Sequence, residues 1–149
     1  MKANREAIAD FLSINRLAVA GVSRNEKKFG RVAFNELRKK GFDVLPINPN
    51  AENLDGVTCY KDVISLPSDI DRLLIITPKK ETENIVKQAI DKGIKKIWIQ
   101  QMSDTKESLE LAQSNGLDPI QGQCILMWVQ PVQGFHHFHR SLKKLFRRL

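Results

Sequence analysis

No apolar run in this chain comes near the ~20 residues that a membrane-crossing helix needs, which removes a helical membrane span from the readings. Cysteine is scarce: Cys59 and Cys124 stand alone, without Cys-x-x-Cys spacing. A disulfide scaffold and a thiolate zinc site are therefore excluded, and two reduced thiols in a cytoplasmic protein are expected. The start, Met-Lys-Ala-Asn-Arg-Glu, is charged but leads into no apolar segment, so it does not read as a signal peptide. Repeats, low-complexity tracts and linkers are also missing. Histidine occurs only at His136, His137 and His139. No Ser/His/Asp arrangement stands out and no paired carboxylates flank a loop, so no catalytic residue is assigned. His136 and His139 lack a nearby Cys, Asp or Glu to complete a metal set, and no metal site is assigned either.

What is present is ordinary in amount and specific in order. With 149 residues, 42% hydrophobic and 28% charged, the chain has the size of one domain over residues 1–149 and material for its own core. The net charge is +7, but Arg140, Lys143, Lys144, Arg147 and Arg148 supply five of those charges. The basic character belongs to one terminal helix, not to a broad nucleic-acid face.

Short apolar runs alternate with amphipathic stretches, the pattern of βαβ units and a parallel sheet. A helix is predicted over 4–13, with Ala7, Ile8, Phe11 and Leu12 on one face. Strands follow at 17–22, 43–47, 57–60, 72–77, 96–100 and 119–125. Helices are predicted over 31–40, 78–92 (Pro78 in its first position, Thr77 as cap), 104–114 and 135–149.

The loops at the strand ends carry the chemistry, because ligands of open α/β sheets bind beyond the carboxyl ends. Arg16 to Gly30 reads as strand, Gly/Ser/basic loop, then helix, the geometry that holds a phosphate on free backbone N–H groups. Gly21, Val22, Ser23 and Arg24 form that loop. Arg24, Lys27 and Lys28 add positive charge. The loop is not the Gly-x-Gly-x-x-Gly fingerprint, since positions 23 and 26 are Ser23 and Glu26. The second strand ends in Ile47-Asn48-Pro49-Asn50, where a dinucleotide fold places a carboxylate for the ribose. NAD is therefore not the first choice.

These segments resemble the stand-alone CoA-binding domain proteins, similar to the nucleotide-binding domain of the succinyl-CoA synthetase α subunit. The resemblance lies in Ala18-Val19-Ala20-Gly21-Val22-Ser23-Arg24, Val44-Leu45-Pro46-Ile47-Asn48-Pro49, Ile75-Ile76-Thr77-Pro78, Ile97-Trp98-Ile99-Gln100 and Cys124-Ile125-Leu126-Met127-Trp128. It implies a Rossmann-like, three-layer α/β/α fold, a mostly parallel sheet of order 3-2-1-4-5, and extra N- and C-terminal helices. It also implies coenzyme A or an acyl-CoA as ligand. Gly21, Val22, Ser23, Arg24 and Lys28 would meet phosphate, Ile47, Asn48, Pro49 and Asn50 would flank the nucleotide, and Thr77 and Pro78 would line the pantetheine path. The ligase relatives carry a phosphorylatable histidine on a second domain, and no second domain is expected here, so a binding module without its own catalytic machinery is the reading. Nucleic acid and membrane are not expected partners. Two alternatives stay open: an NAD(P)-binding oxidoreductase, and an anionic partner held by the basic C-terminal helix.

Overall fold

The structure is a computed structural model and describes residues 4–130; the helix predicted over 135–149, with its histidines and basic face, lies outside the described residues. Seven strands are described: β1 (Arg16–Ala20), β2 (Asp43–Ile47), β3 (Asn53–Leu54), β4 (Val57–Thr58), β5 (Arg72–Ile75), β6 (Lys96–Gln100) and β7 (Ile120–Gln123). Four α-helices join them: α1 (Arg5–Leu12), α2 (Phe29–Lys39), α3 (Lys79–Lys92) and α4 (Lys106–Ser114). A 3₁₀ turn, Ile125–Met127, follows β7.

The near-continuous apolar runs become strands buried on both faces. With the polar, only partly buried β7 at one edge, they build a parallel sheet in the order β2-β1-β5-β6-β7. Alternation along each strand sorts its side chains into two cores. Leu17, Val19, Leu74 and Trp98 face α1 and α2 through Ile8, Phe11, Phe34 and Leu37. Phe11 meets Trp98 edge to face, with ring centroids 5.5 Å apart. Ala18, Ala20, Leu73, Ile75 and Ile99 face α3 and α4 through Val86, Ala89 and Ala112. The result is a three-layer, Rossmann-like α/β/α arrangement.

Three details depart from the sequence reading. Residues 57–60 do not make one strand. Val57–Thr58 pairs antiparallel with Asn53–Leu54 across an Asp55-Gly56 turn, and only Tyr60 bridges Ile47, as a one-residue extension beside β2. That edge position suits Pro46, which has no N–H to give and whose carbonyl accepts the Tyr60 amide at 2.9 Å. On the far side, the strand predicted over 119–125 forms as β7 and adds a place to the predicted five-strand order. Finally, Pro78 is the N-cap of α3, not its first residue. Thr77 does not cap the helix, because its hydroxyl pairs with the buried Thr82 hydroxyl at 2.8 Å.

The amino-terminal edge of the sheet is held by charge. Arg16 of β1 pairs with Asp43 of β2 and with Asp69. Arg72, buried at the start of β5, donates to the α1 carbonyls of Asp10 and Phe11. The acids near β5 are thereby engaged at the edge opposite the strand-end loops.

Candidate functional site at the carboxyl edge of the sheet

The site begins with two glycines in contact. β1 ends at Ala20, and Gly21 turns the chain out of the sheet with φ +96°. A Cβ on Gly21 would sit 2.4 Å from the Ile76 carbonyl oxygen, and one on Gly30 only 2.0 Å from the Gly21 carbonyl oxygen. Real side chains do not make such contacts. The pair therefore draws the first turn of α2 onto the exit of β1, and that exit onto the segment leaving β5. Close helix–strand packing is a job for a fingerprint glycine in dinucleotide folds; here it falls to Gly30, nine residues after Gly21.

Between them the loop is braced by its own side chains. The Ser23 hydroxyl oxygen accepts from the Asn25 amide at 2.9 Å, and Asn25 Oδ1 accepts from the Lys27 amide at 3.0 Å. The Ser23 O–H remains able to donate outward. Val22 is buried and pins the loop to the core, whereas Arg24, Lys27 and Lys28 are exposed. Lys28 is the N-cap of α2 and makes no side-chain cap bond. The amides of Phe29 and Gly30, first in the helix, have no intrahelical acceptor and carry the positive end of its dipole.

Nothing in the sequence singles out Arg31, which follows exposed cations and looks like another. In the fold it is buried, and its Nη2 donates to Asp55 Oδ2 at 2.8 Å. Its Nη1 reaches the carbonyls of Ser23 and Arg24 at 3.4 and 3.3 Å. Asn48 ties a second strand end to the loop. Its Nδ2 donates to the Val22 carbonyl at 2.8 Å, and its Oδ1 accepts from the Asn50 amide at 2.7 Å. Pro49 and Asn50 project beyond it, exposed.

Two clefts open on either side of this loop and share Gly21, Ser23, Thr77 and Pro78. The first, about 570 Å³, lies toward β2 and adds Val22 and the Ile47–Asn50 tip, with Lys61 and Lys80 balanced by Asp62 and Glu81 in its charged lining. The second, about 520 Å³, lies toward β6 and adds Lys28, Phe29, Gln100, Met102, Ser103 and Cys124. Ten of the eleven residues assigned from the sequence line one cleft or both; Arg24 lines neither. Phe29, Met102, Ser103 and Cys124 carry no shared signal in the sequence, since they come from separate segments that only the topology unites. The other cysteine, Cys59, lies outside both clefts, and burial pushes its thiol above the ordinary value despite the nearby Arg31. Among the described residues no three His, Cys, Asp or Glu side chains gather as a metal site, and no helix is long and apolar enough to cross a membrane.

A parallel α/β sheet with a glycine loop and a helix start at its carboxyl edge is the architecture of a Rossmann-like nucleotide-binding domain. The family model described as a CoA binding domain matches residues 15–130, and the chain belongs to that family. Coenzyme A is accordingly its small-molecule cofactor. Among curated proteins the chain is 29% identical over 147 residues to the α subunit of an ADP-forming acetate–CoA ligase II from Pyrococcus furiosus, covering 91% of this chain and 30% of that one. It spans between 11% and 30% of the length of the curated relatives it matches. Among solved structures, it is similar to a conserved hypothetical protein from Pyrococcus furiosus, with 34% identity and a TM-score of 0.72, covering 74% of this chain and 95% of that one. A hypothetical protein from Pyrococcus horikoshii OT3 aligns at 27% identity and TM-score 0.73, covering 92% and 90% of the two chains.

Proposed function

We propose that this chain holds coenzyme A, free or acylated, across the two clefts at the carboxyl edge of the sheet, as a binding module that performs no bond chemistry itself. The carrying observation is the Gly21–Gly30 contact, which brings the start of α2 against the loop dividing the clefts. In this reading the pyrophosphate sits on the Ser23 hydroxyl and the Phe29 and Gly30 amides, with Lys28 adding charge. The nucleotide lies against Ile47, Asn48, Pro49 and Asn50, and pantetheine passes Thr77 and Pro78 into the cleft with Phe29 and Met102. Exposed Arg24 is left to meet a phosphate that projects into solvent. The curated relatives are CoA ligases several times longer, and the region they share with this chain supports a CoA-holding share of such work. Activation of an acyl group would fall to other parts or partners.

Calorimetric and thermal-shift titrations with CoA, acetyl-CoA, dephospho-CoA, NAD and NADP test the reading. CoA at 100 times its dissociation constant should stabilise the fold by about 2.7 kcal/mol, roughly 5–10 °C in Tm. A preference for NADP over CoA, or no stabilisation by any CoA species, would end it.

A further inference from the structure

We propose that Arg31 is a positioning residue for cofactor binding: anchored on Asp55, it fixes the form in which the Val22–Lys28 loop meets the nucleotide phosphates. This rests on the reading just given and adds to it a residue that lines neither cleft.

Burying a guanidinium is costly unless it is paired and hydrogen-bonded. Arg31 is 4% exposed, yet its pairing is incomplete. Among the described residues only the Asp55 contact, at 2.8 Å, is short; Glu26 stands 3.9 Å away, and Nε is buried with no hydrogen-bond partner among them. Arg72, as deeply buried at the far edge of the sheet, also leaves its Nε without a hydrogen bond, so incomplete pairing alone marks no site. What the position does provide is a hold on the loop from beneath. Side chains on a helix lean toward its amino terminus, so Arg31, in the first turn of α2, reaches back to the Ser23 and Arg24 carbonyls.

That contact sets the direction of the peptide planes. In a trans peptide the carbonyl and the following N–H point opposite ways. With the Ser23 carbonyl drawn inward to Arg31, the Arg24 N–H points outward, where an anion can use it. Released, the same peptide could turn its carbonyl oxygen outward and repel a phosphate. Asp55 supplies the anchor from a conformation that most residues avoid, φ +51°, in the two-residue turn between β3 and β4. The short hairpin thus acts as a strut for the loop.

The test uses Arg31→Lys and Asp55→Asn in the full chain. Lysine keeps a cation for Asp55 but lacks the planar fork needed to hold two carbonyls as well. Wild type and variants are titrated with CoA, acetyl-CoA and adenosine 3′,5′-bisphosphate, following backbone amides 21–30 by NMR. The wild-type amides should shift with the bisphosphate. Both variants, folded by circular dichroism at the assay temperature, should bind CoA and the bisphosphate about tenfold more weakly or worse. Their acetyl-CoA to CoA preference should stay at the wild-type value. Folded variants that bind within about twofold of wild type overturn the proposal while leaving the loop reading intact, and an altered acetyl-CoA preference overturns it in favour of general distortion. Wild-type amides that ignore the bisphosphate sink the loop reading and this proposal together. Should Arg31→Lys be unfolded, Asp55→Asn decides.

Discussion

A methyl group on Gly21 would strike the Ile76 carbonyl, and one on Gly30 the Gly21 carbonyl; both obstacles are backbone that cannot swing aside. Gly21→Ala also meets the left-handed φ penalty. Each substitution should therefore destabilise the fold by roughly 3 kcal/mol or more, read as a lowered urea midpoint with an unchanged slope. CoA affinity should fall in any Gly30→Ala molecules that remain folded, because the helix start has been pushed off the loop. Arg24 is the opposite kind of residue. Its side chain is exposed and outside both clefts, so Arg24→Ala should leave the melting temperature within about a degree or two, as surface substitutions do. If Arg24 meets the 3′-phosphate, calorimetry will show a larger loss for CoA than for dephospho-CoA, by roughly tenfold for a charge-assisted contact. Equal losses would reassign it to the pyrophosphate or to nothing.

Between elements, one charge pair gives the contact of α1 with the sheet a pH dependence. Lys96 of β6 donates to Asp10 of α1 at 2.7 Å. That hydrogen bond, chiefly, holds the Asp10 carboxyl below its ordinary 3.8, with Lys96 and Arg72 charge adding to it and slight burial opposing. The folded pKa lies below the unfolded one, so the pair stabilises the fold above about pH 3.8 and the gain disappears as pH falls through the lower folded value. Asp10→Asn should accordingly be less stable than wild type near neutrality and converge with it in acid, in urea unfolding at a series of pH values. The elements themselves were largely legible in the sequence: buried strands read as unbroken apolar runs, and α1, α2 and α4 as amphipathic periods, to within about two residues at most ends. The hairpin was missed because its strands are two residues each, too short for alternation to register, although Asp55-Gly56 is a strong turn signal. Thr77 reads as a cap beside Pro78 because nothing local reveals that Thr82 competes for its hydroxyl. Arg31 was illegible for the same reason: its burial depends on an acid 24 residues away.

At the scale of the molecule, the sheet order places Gly21, Asn48 and Thr77 along one rim, and sequence alone supports that grouping once the parallel sheet is accepted. It does not show that the rim is split, since Phe29, Met102 and Cys124 converge from a helix start, a strand end and the segment after β7. The partition has a practical corollary. Two hollows meeting at one saddle are a natural layout for fragment screening: on the placement proposed above, an adenosine-like scaffold and a pantetheine-like scaffold would each have a berth of their own. A linker spanning Ser23 would then do synthetically what the cofactor's own diphosphate bridge is built to do.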